Sequence, residues 1–300
     1  MMGSQTIALP YRYITWRMIE FQMDSFKLAL RLFPGDLNRA VIFFLVARMS
    51  CAEWVVGNRI ARPDCPTPFS INALAASLSR PFETVRRHVA GMIDDGICAR
   101  VKGGVVLAPT MARQRDVIEY YQDTAGLLVR LADRLADGGV PLPPAEGAAD
   151  NPLALIINAA LDVCLVALEN NDHTHWFELA LHGALIYENG RDIMGTPALA
   201  REYGNTVLPD ELRRPVKIRA LSQDYGIPYA TVRRHVDTMM VAGAMLKQRS
   251  GYILNTQWTG RDVRIEQSDR TVDYLMRQFR GLAAAGVELA GEATTIRCTK

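Results

Sequence analysis

Residues 68–107 read PFSINALAASLSRPFETVRRHVAGMIDDGICARVKGGVVL, and residues 215–254 read PVKIRALSQDYGIPYATVRRHVDTMMVAGAMLKQRSGYIL. The two stretches align without gaps at an offset of 147, and 15 of the 40 aligned residues are identical. Unrelated sequences of average composition would share roughly two or three. The similarity continues between 124–140 and 271–287, so the sequence predicts one structural unit that occurs twice in the chain.

The first copy has the pattern of two short helices followed by a hairpin. A helix over 71–78, capped by Ser70, is followed by a turn and a second helix over 81–95. Gly96 is suited to a left-handed helix end, and strands over 97–101 and 105–107 flank a glycine turn. Three apolar residues of the second helix share one face and are predicted to be buried: Val85, Val89 and Met92.

The second copy supplies the same parts, with helices predicted over 218–225 and 228–241 and a glycine-tipped hairpin after them. Its apolar stripe is Val232, Val236 and Met239. Ser79 and Arg80 stand where the second copy has Gly226 and Ile227, so we expect a less regular turn in the first copy.

Sequences of the form ALxxxxGIxxxTVRRHVxxMxxxG with a basic hairpin resemble the winged helix-turn-helix of bacterial transcription regulators. Helices are predicted before each copy, and a long helix is predicted after each copy, over 111–137 and 262–284. These flanking helices resemble the dimer-forming helices of MarR-type regulators. The resemblance implies a mostly α fold with small β-wings, arranged as a single-chain pseudo-dimer. The domains are then a first repeat (1–140), a linker (141–152) and a second repeat (153–300), with winged helices at 68–108 (the first head) and 215–255 (the second head).

The same resemblance implies double-stranded DNA as the partner and assigns a role to individual side chains. The recognition helix enters the major groove, and the wing contacts phosphate. The residues assigned to base reading are Phe82, Glu83, Arg86 and Arg87 in the first head and Tyr229, Ala230, Arg233 and Arg234 in the second. The residues assigned to the wings are Arg100 and Lys102 in the first head and Lys247 and Arg249 in the second.

The two heads differ in charge and in one reading position. Residues 68–102 hold five basic and three acidic residues, whereas 213–249 hold eight basic and two acidic residues. Glu83 is able to accept a hydrogen bond from cytosine, and Ala230 is not. We therefore expect an operator that is an imperfect palindrome, bound more strongly by the second head.

Composition places the chain among soluble globular proteins, with 300 residues and a net charge of +2. Five cysteines without a CxxC pair make a poor disulfide framework and favour a reducing cytoplasm. The first residues lack the pattern of a secretory signal, and the apolar stretches at 40–47 and 153–168 are too short or too polar to span a membrane. We therefore expect a cytoplasmic protein without membrane contact.

A metal site and an effector pocket are two further hypotheses. On a helix, His175, Glu178 and His182 lie near one face and could ligate a divalent metal. The first half has no equivalent residues. The sequence therefore favours an amphipathic helix at this position, without a metal or other cofactor. Aromatic and methionine side chains of the flanking helices suit either a plain core or a small-molecule effector pocket. These side chains are Trp16, Met18, Phe21, Met23, Phe43, Phe44, Trp54, Trp176 and Phe177.

Three alternatives to a transcription regulator remain to be weighed. A plasmid replication initiator also carries two winged helices, and tandem winged helices also serve as protein-interaction modules, although these usually lose the basic recognition face. An enzyme is disfavoured, because the sequence contains none of the GxGxxG, GxxxxGK[ST], GxSxG or HExxH motifs. The regulator is expected to be a monomeric pseudo-dimer or a homodimer.

Overall fold

The structure is a computed structural model, and it describes residues 10–51, 55–56, 59–60, 67–169 and 176–289. The described chain is mostly helical and contains three small antiparallel two-stranded sheets. The elements of the first half are α1 (Tyr11–Leu32), α2 (Leu37–Cys51), β1 (Val55–Val56), β2 (Arg59–Ile60), α3 (Ile71–Ser77), α4 (Phe82–Asp94), β3 (Cys98–Val101), β4 (Gly104–Leu107) and α5 (Arg115–Asp137).

The second half continues with a similar order of elements. They are α6 (Pro152–Glu169), α7 (Trp176–Met194), α8 (Pro197–Tyr203), α9 (Ile218–Asp224), α10 (Tyr229–Val241), β5 (Met245–Gln248), β6 (Gly251–Leu254), α11 (Thr256–Thr259) and α12 (Asp262–Ala284). The expected helix–helix–hairpin–long helix order is therefore present in both halves. The β1–β2 hairpin and α8 were not predicted, and 111–113 forms a separate 3₁₀ turn instead of the start of α5.

The long helices of both halves pack into one hydrophobic core. α1 lies at its centre and contacts α2, α5, α6, α7 and α12. Consecutive residues such as Met18 and Ile19 are both buried, because this helix is covered on more than one side. The buried residues of the two halves form one continuous cluster, so the halves stabilise each other.

Contacts between the halves occur in exchanged pairs. α1 packs against α7, and its positional counterpart α6 packs against α2. In the same way α5 packs against α6, and α12 packs against α1. Such reciprocity is what a two-fold axis imposes on an isologous dimer, where each contact occurs twice with the partners exchanged. Here both sets of contacts lie within one chain.

The segment between α5 and α6 contains no helix or strand and crosses the end of α12. The Glu146 N–H donates to the Ala283 carbonyl (2.8 Å), and the Ala149 N–H donates to the Gly286 carbonyl (3.0 Å). Gly286 has a φ of 83°, and a Cβ there would lie 2.7 Å from the backbone of Ala148, so this approach requires glycine. These bonds attach the predicted linker to the second half.

Candidate nucleic-acid interface

The helix pair of each head is held together by the predicted apolar stripes. Val85, Val89 and Met92 of α4 are buried, and so are the three stripe residues of α10. The predicted cap is also present, because Ser70 Oγ accepts a hydrogen bond from the Ala73 N–H (3.1 Å) at the start of α3. With its apolar side fixed in this way, each second helix turns its other side to solvent.

The turn between the two helices is the same in both heads, so the expectation of a less regular first turn was wrong. Ser79 adopts a φ of 48°, and Gly226, at the matching position, adopts 60°. The next residue closes the turn in each case, with Arg80 N–H donating to Ala75 O and Ile227 N–H donating to Ser222 O. The first head keeps the geometry by holding a serine in the left-handed region, where glycine is favoured.

A hairpin follows each second helix and is joined by a third short stretch of chain. β3 pairs with β4, and β5 pairs with β6, in the same register. Phe69 bridges Val105 in the first head, and Val216 bridges Tyr252 in the second. A Cβ at Gly104 or Gly251 would lie 2.3 or 2.6 Å from the carbonyl oxygen of that third stretch, so the close approach requires glycine at both hairpin tips.

Every residue assigned to base reading or to a wing has an exposed side chain. This holds for Phe82, Glu83, Arg86, Arg87, Arg100, Lys102, Tyr229, Ala230, Arg233, Arg234, Lys247 and Arg249. The first residues of α4 and α10 are aromatic and exposed, Phe82 at 45% and Tyr229 at 51%. Both second helices therefore begin with an exposed aromatic side chain at the same position.

The first arginine of each recognition helix is held by a carboxylate of the same helix. In α4, Arg86 donates to both oxygens of Glu83 (2.9 and 2.5 Å), and this bond lowers the pKa of Glu83. In α10, Arg233 donates to both oxygens of Asp237 (3.0 and 2.9 Å). Each of these two arginines is therefore oriented by a carboxylate one turn away on its own helix.

The second arginine of each recognition helix makes no ion pair within the part of the chain that the structure describes. Arg87 and Arg234 are exposed and present their positive charge to solvent. Burial, together with the nearby charge of Arg234, lowers the pKa of Arg80 in the turn of the first head. Like charges from the two heads thus lie close to each other, and a polyanion would relieve their repulsion.

A basic groove runs between α9, α10 and the hairpin in the second head. Tyr229, Arg233, Lys247 and Arg249 line it, as the sequence predicted for a DNA-binding surface. The groove also includes Lys217, Arg219, Ser222, Gln223 and Tyr252, which were not assigned a role from sequence. The alignment of the two copies could have identified the two basic residues, because Lys217 and Arg219 stand where the first head has the neutral Ser70 and Asn72.

Each head is attached to the scaffold by a buried polar side chain. In the first half, Ser50 of α2 accepts a hydrogen bond from the Leu107 N–H (3.0 Å). In the second half, Asn189 of α7 accepts from the Leu254 N–H (2.9 Å) and donates to the carbonyls of Arg214 (2.7 Å) and Tyr252 (3.3 Å). The second attachment has more hydrogen bonds and fixes the hairpin more firmly.

The histidines of the TVRRHV motifs face the scaffold, in agreement with a structural role. His235 Nδ1 lies 3.1 Å from Glu178 Oε1, and its ring contacts Phe177 at 4.5 Å. His88 lies near Asp36, and burial lowers its pKa. Both histidines therefore lie opposite an acidic residue at or beside the first turn of a scaffold helix.

The three candidate metal ligands are not brought together as one described site. Glu178 is engaged with His235, whereas the ring of His182 packs edge-on against Trp258 at 5.0 Å. His175 lies outside the described residues. Among the residues that are described, no group of three His, Cys, Asp or Glu side chains could hold a metal ion.

Several of the side chains predicted for a core or an effector pocket line two cavities in the scaffold. Trp16 and Met18 line the first, and Met23, Phe44 and Trp176 line the second. Phe43 packs against Phe33 and Tyr120 instead, Phe21 and Phe177 are buried in the core, and Trp54 lies outside the described residues.

Comparison with protein-family models, with curated proteins and with solved structures finds no significant match to this chain. No helix within the described ranges has the length and apolar character needed to cross a membrane.

Proposed function

We propose that this chain is a sequence-specific double-stranded DNA-binding transcriptional regulator. In this proposal two winged helix-turn-helix heads project from a single-chain pseudo-dimer and read an imperfect palindrome. The observation that carries the proposal is the basic groove of the second head. There the exposed face of α10, the start of α9 and the β5–β6 hairpin bring five cationic side chains together: Lys217, Arg219, Arg233, Lys247 and Arg249.

The groove suits a duplex because its parts match the separate tasks of DNA recognition. Arg233 and Arg234 lie near the start of α10, where a helix that enters the major groove reaches base edges. The lysines and arginines of α9 and the hairpin flank that helix and suit phosphates. The repeated helix pairs, hairpins and exchanged contacts between the halves support a second head that acts on the same duplex.

The test is to select bound fragments from genomic DNA and to measure affinity for the recovered site over a range of salt concentrations. We expect log affinity to fall linearly with log salt, with a slope of order several phosphates at about 0.9 per contact. Replacing Arg234 with alanine should weaken binding and reduce that slope. Arg201→Ala, which removes an exposed charge from α8 outside both heads, should change neither.

Two results would contradict the proposal. One is the recovery of no enriched sequence, and the other is an affinity that does not depend on salt or on Arg234. Strand opening at the selected site would instead support the replication initiator.

A further inference from the structure

The scaffold contains a cavity of about 180 Å³ that is lined by residues of both halves. It lies between α1, α7 and α12, next to the chain that leads into the second head. Its lining includes the apolar Trp16, Met18 and Leu208 together with cationic and hydroxyl side chains. Its size suits a small organic molecule with both an apolar and a charged part.

Three arginines line this cavity. Arg213 is only 8% exposed, and burial lowers its pKa to about 10. Its ion-pair partner, Asp210, is 3.8 Å away, and the charge of Arg12 acts against it. Arg264 lies over the ring of Trp258 at 4.2 Å and also lines the cavity. Arg213 also donates to Thr259 Oγ1 (3.1 Å). A buried guanidinium whose carboxylate partner is as distant as Asp210 favours an anion.

His182 adds a polar atom that folding leaves unused. Its Nε2 is buried and has no hydrogen-bond partner among the described residues. Burial, together with Arg264 and Arg213, lowers the pKa of this histidine to about 3, so the ring is neutral at pH 7. A buried polar atom without a partner is costly, and a ligand that hydrogen-bonds to it removes that cost.

A second cavity of about 140 Å³ adjoins the first, and Ile19, Leu179, His182 and Ile186 line both. Its own walls are formed mainly by apolar side chains, including Met23, Phe26 and Phe44. A charged group at the arginines therefore has an apolar space beyond it, into which a hydrocarbon tail fits.

The first half has the same helices, but large side chains fill the corresponding space. Counted from the helix starts, Tyr120 and Tyr121 of α5 occupy the positions of Gln267 and Ser268 in α12. Val117 likewise occupies the position of Arg264. Phe43 and Phe44 of α2 occupy the positions of His182 and Gly183 in α7. The second half therefore has smaller and more polar residues where the first half has a packed aromatic cluster.

We propose that this cavity between the halves binds one amphipathic carboxylate, with its anionic group at Arg12, Arg213 and Arg264 and its hydrocarbon tail in the adjoining cavity. The carboxylate accepts hydrogen bonds from the guanidinium groups. The tail is removed from water against the apolar walls of both cavities. We expect one such site among the described residues, because Phe43, Tyr120 and Tyr121 pack together at the matching positions of the first half.

Octanoate is the probe, and quenching of tryptophan fluorescence is the readout, because Trp16 lines the cavity. We expect saturable binding and a raised thermal midpoint with octanoate. Octylamine and acetate should bind much more weakly, since one lacks the negative charge and the other lacks the tail. The measurement uses no DNA, so its outcome is independent of the proposed regulatory function.

Arg12→Gln and Arg264→Gln should each weaken octanoate binding about tenfold or more, by loss of one charge-assisted contact. Both side chains are partly exposed, so the variants are expected to fold, and circular dichroism checks this. Gly183→Leu should weaken octanoate but leave acetate unchanged, because the new side chain enters the tail cavity. Arg201→Gln is the matched control on α8.

The proposal is overturned if octylamine binds as tightly as octanoate. It is equally overturned if folded Arg12→Gln and Arg264→Gln proteins bind octanoate as well as the parent protein does.

Discussion

The two halves of this chain share the order of their helices and strands, but they differ in scaffold packing and in the charge of their heads. In the first half, Phe43, Tyr120 and Tyr121 fill the scaffold, and the head carries a net charge of +2 over 68–102. In the second half, the matching scaffold positions line a cavity, and the head carries +6 over 213–249. The comparison indicates that the first half mainly supplies packing, whereas the second supplies the charged surfaces.

The sharpest test of this difference removes matching arginines from the two heads. Arg233→Ala with Arg234→Ala should weaken operator binding about 100-fold, at ~1.4 kcal/mol per arginine. Arg86→Ala with Arg87→Ala should cause a smaller loss, about tenfold, because fewer basic residues surround that helix. Gel-shift titration at one salt concentration measures both. Equal losses would refute the asymmetry between the heads.

The attachment of each head to the scaffold provides a second comparison, this time of stability. Asn189→Ala leaves the Leu254 N–H and the Arg214 carbonyl without their partner, whereas the Tyr252 carbonyl keeps its bond from the Val216 N–H. The variant should lower the free energy of unfolding by about 3 kcal/mol. Ser50→Ala leaves only the Leu107 N–H unsatisfied and should cost about 1 kcal/mol. Urea unfolding followed by circular dichroism gives both values. A larger loss from Ser50→Ala would contradict the stronger attachment of the second head.

His182, which lines the cavity, predicts a pH dependence of stability to which the matching residue of the first half, Phe43, does not contribute. The pKa of His182 is lowered to about 3 in the folded protein, whereas an unfolded histidine titrates near 6.5. The unfolded state therefore binds more protons below about pH 6.5, and stability falls as the pH falls. Between pH 7 and 5 this contributes a loss of about 2 kcal/mol at most.

His182→Phe, which introduces the residue found at this position in the first half, should remove that part of the pH dependence. Thermal unfolding of both proteins at pH 7 and pH 5 makes the comparison. The remaining dependence in the variant includes His88, whose pKa burial also lowers. An unchanged pH dependence in the variant would show that His182 is protonated in the folded state.

The smallest expected effect concerns the turns inside the heads. Gly226→Ala should lower stability by about 1 kcal/mol, since nothing lies within 4 Å of the added Cβ and only the left-handed backbone opposes it. Ser79→Gly should raise stability by about 0.5 kcal/mol, because it removes the side chain from the same conformation. Opposite signs in thermal unfolding confirm that the two turns are equivalent. A loss of stability in Ser79→Gly would contradict the strain at Ser79.

The heads were predictable from the sequence because their signals are local. A shared TVRRHV, a stripe at i, i+4 and i+7 and glycines at fixed positions predict the helices and hairpins within a residue or two. The exposure of the eight assigned side chains on α4 and α10 follows from the same periodicity. The β1–β2 hairpin was missed because strands of two residues carry no periodic pattern.

The cavity was only partly predictable. The sequence offered Trp16, Met18, Met23, Phe44 and Trp176 as residues of a core or an effector pocket, but it did not show which scaffold helices correspond. The heads match at an offset of 147, whereas the first residues of α2 and α7, Leu37 and Trp176, differ by only 139. At the offset of the heads, Phe43 does not align with His182. The arginines of the cavity also come from α1, α12 and the chain before α9, and only tertiary packing brings these three segments together.

The segment that joins α5 to α6 allows the two halves of this protein to evolve different side chains at matching positions. In a homodimer one gene encodes both subunits, so a substitution that opens a cavity in one subunit opens it in the other as well. Because residues 138–151 place both sets of helices on one chain and bind to the end of α12, each half accepts substitutions independently. One half is then free to keep its aromatic packing, while its counterpart exchanges the same positions for arginine, histidine and glycine.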